Sequence, residues 1–141
     1  MKESNIQTLF SKYLEANRPE GPRAYELKLC KGTSLAFNAV REHQVEALVA
    51  AATAHGLYHK ITDQPVSWTK ANTRFNRPKP FDCFFISRAK AYIAICFYVP
   101  RKPKKLIMIN IFDWNRCKGV SERKSITKEM AIEIAEEIIT L

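Results

Sequence analysis

The hydrophobic pattern along the chain changes period several times, and each change marks an element. In residues 3–15, Ile6, Leu9, Phe10, Tyr13 and Leu14 recur at helical spacing. Two prolines and a glycine between Asn17 and Pro22 end that helix. Residues 24–30 then alternate, with Tyr25, Leu27 and Leu29 on one face and Glu26, Lys28 and Cys30 on the other, which predicts a strand. Lys31 to Ser34 reads as a turn. The alanine-rich stretch 39–54 predicts a second helix, closed by His55-Gly56, and Leu57 to Ile61 a short strand. Strand, helix and strand in that order suggest a parallel crossover pair.

Residues 63–80 read as a polar loop. Two apolar runs follow at 81–87 and 91–98, close enough for a hairpin. Pro100 to Lys105 is a basic turn, and 106–112 a further strand. After a polar stretch, 113–126, Thr127 caps a last helix at 128–139, with Glu129 in its first turn. No repeat, low-complexity tract or long linker divides the 141 residues, so one domain spanning 1–141 is expected.

Charge narrows the class. Lysine and arginine number 23 against 14 acids, a net charge of +9, which favours a polyanionic partner. No apolar run is long enough for a membrane span, and Met1 to Leu14 has no secretory core, so an intracellular, cytoplasmic protein without a membrane partner is expected. A viral or mobile-element origin would suit so small and basic a chain. Cys30, Cys83, Cys96 and Cys117 lie far apart, without zinc-ligand spacing, and read as free thiols, three of them in strand-like runs.

The candidate chemistry centres on Glu26-Leu27-Lys28. Two positions apart on a strand, Glu26 and Lys28 share a face about 6–7 Å apart. Phosphodiester hydrolysis uses a divalent metal on oxygen ligands and an activated water. Glu26 and the Leu27 backbone carbonyl supply oxygens; Lys28 is suited to the water and to phosphorane charge. On the second helix Gln44 falls on the stripe Val40, Gln44, Leu48 facing the sheet, where a polar side chain needs a partner. Asp82 opens a strand among hydrophobes and is a second carboxylate. Lys31, Trp68, Lys70, Arg74, Arg77 and Lys79 combine cations with an aromatic, as nucleic-acid contacts do. Each also has a plainer reading: a solvated ion pair, a buried glutamine, an edge aspartate, a solvated loop.

The stretch from Ala24 to Ala54, with its ExK strand, polar turn, Phe37 and Glu42-His43-Gln44, resembles the RecU-type Holliday-junction resolvases of the PD-(D/E)xK nuclease superfamily. The resemblance implies a restriction-endonuclease-like α/β core, a single mixed sheet of about five strands flanked by helices. It implies a Mg²⁺- or Mn²⁺-dependent endonuclease acting on branched or structured DNA, and a homodimer. Glu26 would bind metal, Lys28 would assist the water, Gln44 would support the site, and Glu3 would take the family's helix-borne glutamate position. The family's aspartate precedes the ExK strand. Here Lys79-Pro80-Phe81-Asp82 follows it, so the Asp-bearing hairpin would come after the ExK strand-helix unit, with Glu26 and Asp82 sharing the metal. The alternatives are a non-catalytic DNA-binding module with a degenerate nuclease fold, and a structural or assembly protein.

Overall fold

The computed structural model describes residues 1–61 and 81–141. The sequence of the central strand explains the architecture. Strand β5 (Lys90–Phe97) carries an unbroken run, Ala91 to Cys96, buried at every position. A strand apolar on both faces needs neighbours on both sides and helices on both faces. It lies between β1 (Arg23–Cys30) and β6 (Lys105–Asn110) in a four-stranded sheet of order β1-β5-β6-β8, where β8 is Glu137–Thr140. The β1–β5 pairing is parallel and the other two are antiparallel, so the sheet is mixed.

Helix α1 (Glu3–Ala16) covers one face, inserting Ile6 and Phe10 against Tyr92, Ala94, Cys96 and Met108. The Phe10 ring meets Tyr25 edge-on at 4.9 Å between centroids, and Tyr25 stacks on Tyr92 at 5.8 Å. Three helices cover the other face: α2 (Glu42–Ala52), α3 (Ile111–Val120) and α4 (Lys128–Ile134). Val45, Leu48, Trp114 and Ala131 bury there against Ile93, Ile95 and Ile109. A small ribbon ties this face: β2 (Ser34–Ala36) pairs with β7 (Ser125–Thr127), with Leu35 opposite Ile126 and both buried.

The expected α/β class, with a mixed sheet and flanking helices, is observed; the pairing and strand count differ. Leu57–Lys60 (β3) does not join the sheet as the parallel partner of β1. It pairs antiparallel with Cys83–Ile86 (β4), forming a two-stranded ribbon within the crossover from β1 to β5. Nor do the two runs after residue 80 form a hairpin with each other. The Arg88 and Ala89 amides donate to the Thr53 and Ala51 carbonyls at the end of α2, each at 2.9 Å. Those bonds tie the chain to the helix end, and β5 then runs alongside β1. Gly56, at φ +81, lies against the Phe85 ring, where any side chain would collide.

The C-terminal half departs in two further places. The stretch read as polar contains α3, which Asn110 caps by accepting the Phe112 amide at 3.0 Å, while Ile111 and Trp114 bury one turn apart. The helix expected over 128–139 stops at Ile134. The β-branched Ile138, Ile139 and Thr140 are taken instead by the open side of β6, burying Ile139. The helix expected over 39–54 runs from Glu42 to Ala52, with a short 3-10 turn, Phe37–Ala39, ahead of it. Cys30 and Cys96 are buried thiols; Cys83 is exposed and Cys117 half-buried. Burial pushes the Cys96 and Cys117 thiols up, which leaves them poor nucleophiles.

Trp114 is fully buried and edge-on to Phe37 at 5.2 Å. Trp114→Ala should therefore cost about 3–5 kcal/mol in denaturant unfolding, by transfer and cavity effects together. Burial, reinforced by the Glu136 carboxylate, pushes the Tyr92 hydroxyl from 10.0 up to about 12. A raised folded-state value stabilises below the unfolded value and is lost as pH climbs through the folded one. Unfolding midpoints should thus fall between about pH 10 and 12, and Tyr92→Phe should flatten that decline.

Candidate functional site

The edge position of β1 determines what its backbone can offer. The Pro22 and Cys30 carbonyls accept from the Lys90 and Tyr98 amides at 3.2 and 2.7 Å. Alternate residues of a strand aim their peptide groups at opposite sides, so even-numbered residues bond β5. Tyr25, Leu27 and Leu29 present theirs to the open edge. The Leu29 amide donates there to Glu3 Oε2 at 3.2 Å, the carboxylate coming from the first turn of α1. The Leu27 carbonyl is the next acceptor along that edge.

The side chains alternate in the same way. Tyr25, Leu27 and Leu29 pack on the α1 face, which puts Glu26 and Lys28 on the face shared with α2. Helix α2 brings Gln44 down onto Glu26, with Gln44 Nε2 donating to Glu26 Oε1 at 2.8 Å. The Gln44 Oε1 accepts the Arg41 amide at 2.9 Å, so the side chain also caps its own helix. Both ends of the amide are committed, which fixes its orientation. Lys28 Nζ approaches the same Glu26 Oε1 at 3.1 Å, and the pair is shielded, with Lys28 14% and Glu26 25% exposed.

Two donors thus converge on Oε1, while Glu26 Oε2 accepts no hydrogen bond among the described residues. One oxygen of Glu26 is thus engaged by both Gln44 and Lys28. The oxygens of Glu26, the Leu27 carbonyl and Glu3 are all hard donors of the kind Mg²⁺ or Mn²⁺ takes. No group of three His, Cys, Asp or Glu side chains assembles as a metal site among the described residues. A metal at this edge would rest on few carboxylates, a backbone carbonyl and water.

The structure brings together Glu26, Lys28 and Gln44, and sets Glu3 at the same strand edge. Asp82 stands elsewhere, exposed, at the start of the β3–β4 ribbon, with its carbonyl accepting the Ile61 amide at 2.7 Å. No direct contact joins it to Glu26 among the described residues. Lys31 is exposed just beyond the C-terminal end of β1. Trp68, Lys70, Arg74, Arg77 and Lys79 lie outside the described residues. The hydrophobic stripe had pointed to Gln44. The Glu3–Leu29 bond and the role of the Arg41 amide left no sequence signal, because both are backbone contacts.

Comparison of the chain with family models, with curated proteins and with solved structures gave no match. No helix among the described residues is long and apolar enough to cross a membrane.

Gln44→Glu tests the clamp directly. It sets a second carboxylate against Glu26 and should lower stability at neutral pH by about 1–3 kcal/mol. Gln44→Leu should cost a similar amount through the lost bond to Glu26. Urea unfolding at pH 7 and at pH 4 checks the first, since protonation at the lower pH should relieve the Glu–Glu repulsion.

Proposed function

We propose that the chain is a metal-dependent DNA endonuclease with resolvase-like preference for branched or structured DNA. The observation that supports this is the Glu26 side chain, clamped through Oε1 by Lys28 and Gln44 on a strand at the margin of the sheet. The net charge of +9 supplies attraction for a phosphate backbone. The resemblance of Ala24 to Ala54 to the resolvases accounts for the same three side chains together. A Mg²⁺ or Mn²⁺ held by Glu26, the Leu27 carbonyl and a second carboxylate would supply Lewis acidity at the phosphate.

The chain's own groups do the rest. Lys28, shielded and next to Glu26, orients the attacking water and offsets charge growing on the phosphorane oxygens. The water oxygen bonds to phosphorus, the bond from phosphorus to one deoxyribose oxygen breaks, and the proton the water loses passes through solvent to that leaving oxygen. Gln44 is a positioning residue that keeps Glu26 from swinging toward Lys28 alone. On the split plan Asp82 would have to come in from the β3–β4 ribbon to serve as the second carboxylate, and Glu3 occupies the helix-borne position. A homodimer would let two such sites nick a junction symmetrically.

A second reading, a DNA-binding module without cleavage, is favoured by the lack of a three-ligand cluster among the described residues. A Mn²⁺-supplemented assay on junction, flap and single-stranded substrates separates the two. Glu26→Ala should abolish cleavage, by at least about 10³-fold, with folding and binding kept; full activity in that variant sinks the nuclease reading. Asp82→Asn decides the remaining ligand: loss of cleavage retains Asp82 in the metal set, and wild-type rates remove it.

A further inference from the structure

Away from the clamp, the same sheet face opens into an apolar groove of about 470 Å³. Phe97, Val99, Ile107, Ile132 and Ile138 form its floor, between α4 and the turn joining β5 to β6. Val99, Ile132 and Ile138 are 49%, 44% and 45% exposed, an unusual amount of solvent contact for aliphatic side chains gathered in one place. Lys102, Lys105 and Lys128 rim the groove, and no acidic residue lines it.

One lining residue of the groove lies close to the clamp. Phe97 lies opposite Cys30 in the β1–β5 register and packs in the same cluster as Cys30. It is therefore one strand, about 5 Å, across from β1 and two residues, about 7 Å, beyond Lys28. The Lys128 amide donates to the Thr33 carbonyl at 3.3 Å, which joins the groove's rim to the turn carrying Lys31. Lys31 is exposed in that turn, and Lys102, Lys105 and Lys128 line the groove.

We propose that this groove seats an unpaired nucleotide of the DNA, its base on the Phe97–Ile132–Ile138 floor and its flanking phosphates on the lysines. The inference builds on the nucleic-acid part of the function proposed above. Charge complementarity selects the occupant: an apolar planar body with anions on both sides matches an apolar floor ringed by cations. The volume is within the range of small-ligand sites and accommodates one base. Apart from the lysines, the lining offers no hydrogen-bonding side chain, so the site takes any base and reads unpairing rather than sequence. A two-fold contact between copies centred here would oppose two sets of three lysines, which disfavours self-association through this face.

The test uses the full chain in EDTA, so that binding is read without cleavage. The probes are a blunt duplex and the same duplex with a short single-stranded tail carrying 2-aminopurine. Tailed DNA should bind roughly tenfold or more tightly than blunt DNA, with a change in 2-aminopurine emission. Ile132→Glu, or Val99→Asp should the first variant misfold by circular dichroism, should remove that preference and leave blunt-duplex binding within about twofold. Lys102→Ala with Lys128→Ala should reduce the salt slope for tailed DNA by about 1–2.

Equal binding of tailed DNA by folded groove variants and by the unsubstituted chain overturns the proposal. So does sedimentation showing that Ile132→Glu dissociates a dimer while tail binding persists, since the groove would then be an interface between copies. The two proposals fail separately. Tail binding that is lost in the groove variants, in a chain that never cleaves, removes the nuclease reading and supports the groove. Cleavage abolished by Glu26→Ala, with tail binding intact in every groove variant, removes the groove alone.

Discussion

The parallel pairing of β1 with β5 is the contact on which the rest of the molecule depends. It requires a crossover, and the crossover supplies α2, whose first turn brings Gln44 to Glu26. β1 lies at the margin of the sheet, with no further strand bonded to its odd-numbered peptide groups among the described residues. The pairing also puts Cys30 beside Phe97, which lines the groove. A β1 in the middle of the sheet would have its Leu27 carbonyl bonded to another strand, and the oxygen set at the edge would not exist.

Some of this was legible in the residues. The alternation of 24–30 put Glu26 and Lys28 on one face and the apolar stripe turned Gln44 toward the sheet, because both periods are local; grouping the three came from the resemblance. The buried run of β5 predicted a strand correctly and its partner incorrectly. Apolar continuity shows that a strand is covered on both faces, but not by what. The choice was made by the amides of Arg88 and Ala89, which bond the end of α2. No side chain records that bond. The last helix failed for a related reason: residues 135–140 have tolerable helical spacing, yet an unpaired β6 edge outcompetes it for β-branched residues.

The clamp and the groove make different use of burial. Around Glu26 the aim is a charge held in place with little water, and it is met with one cation and one amide on a single oxygen. Burying a carboxylate is costly unless it is paired, and here Lys28 and Gln44 meet that need. In the groove the sequence leaves aliphatic surface wet, with lysines close enough to keep it from associating indiscriminately.

An unclaimed strand edge is also a template on which another chain can add a strand, and with it the first step toward aggregation. The carboxylate of Glu3 occupies the Leu29 amide, the very donor an incoming strand would need. One glutamate in the first turn of α1 thus takes up an amide through which a further strand would pair. Its replacement by alanine would be felt first in the test tube as turbidity, before any loss of fold.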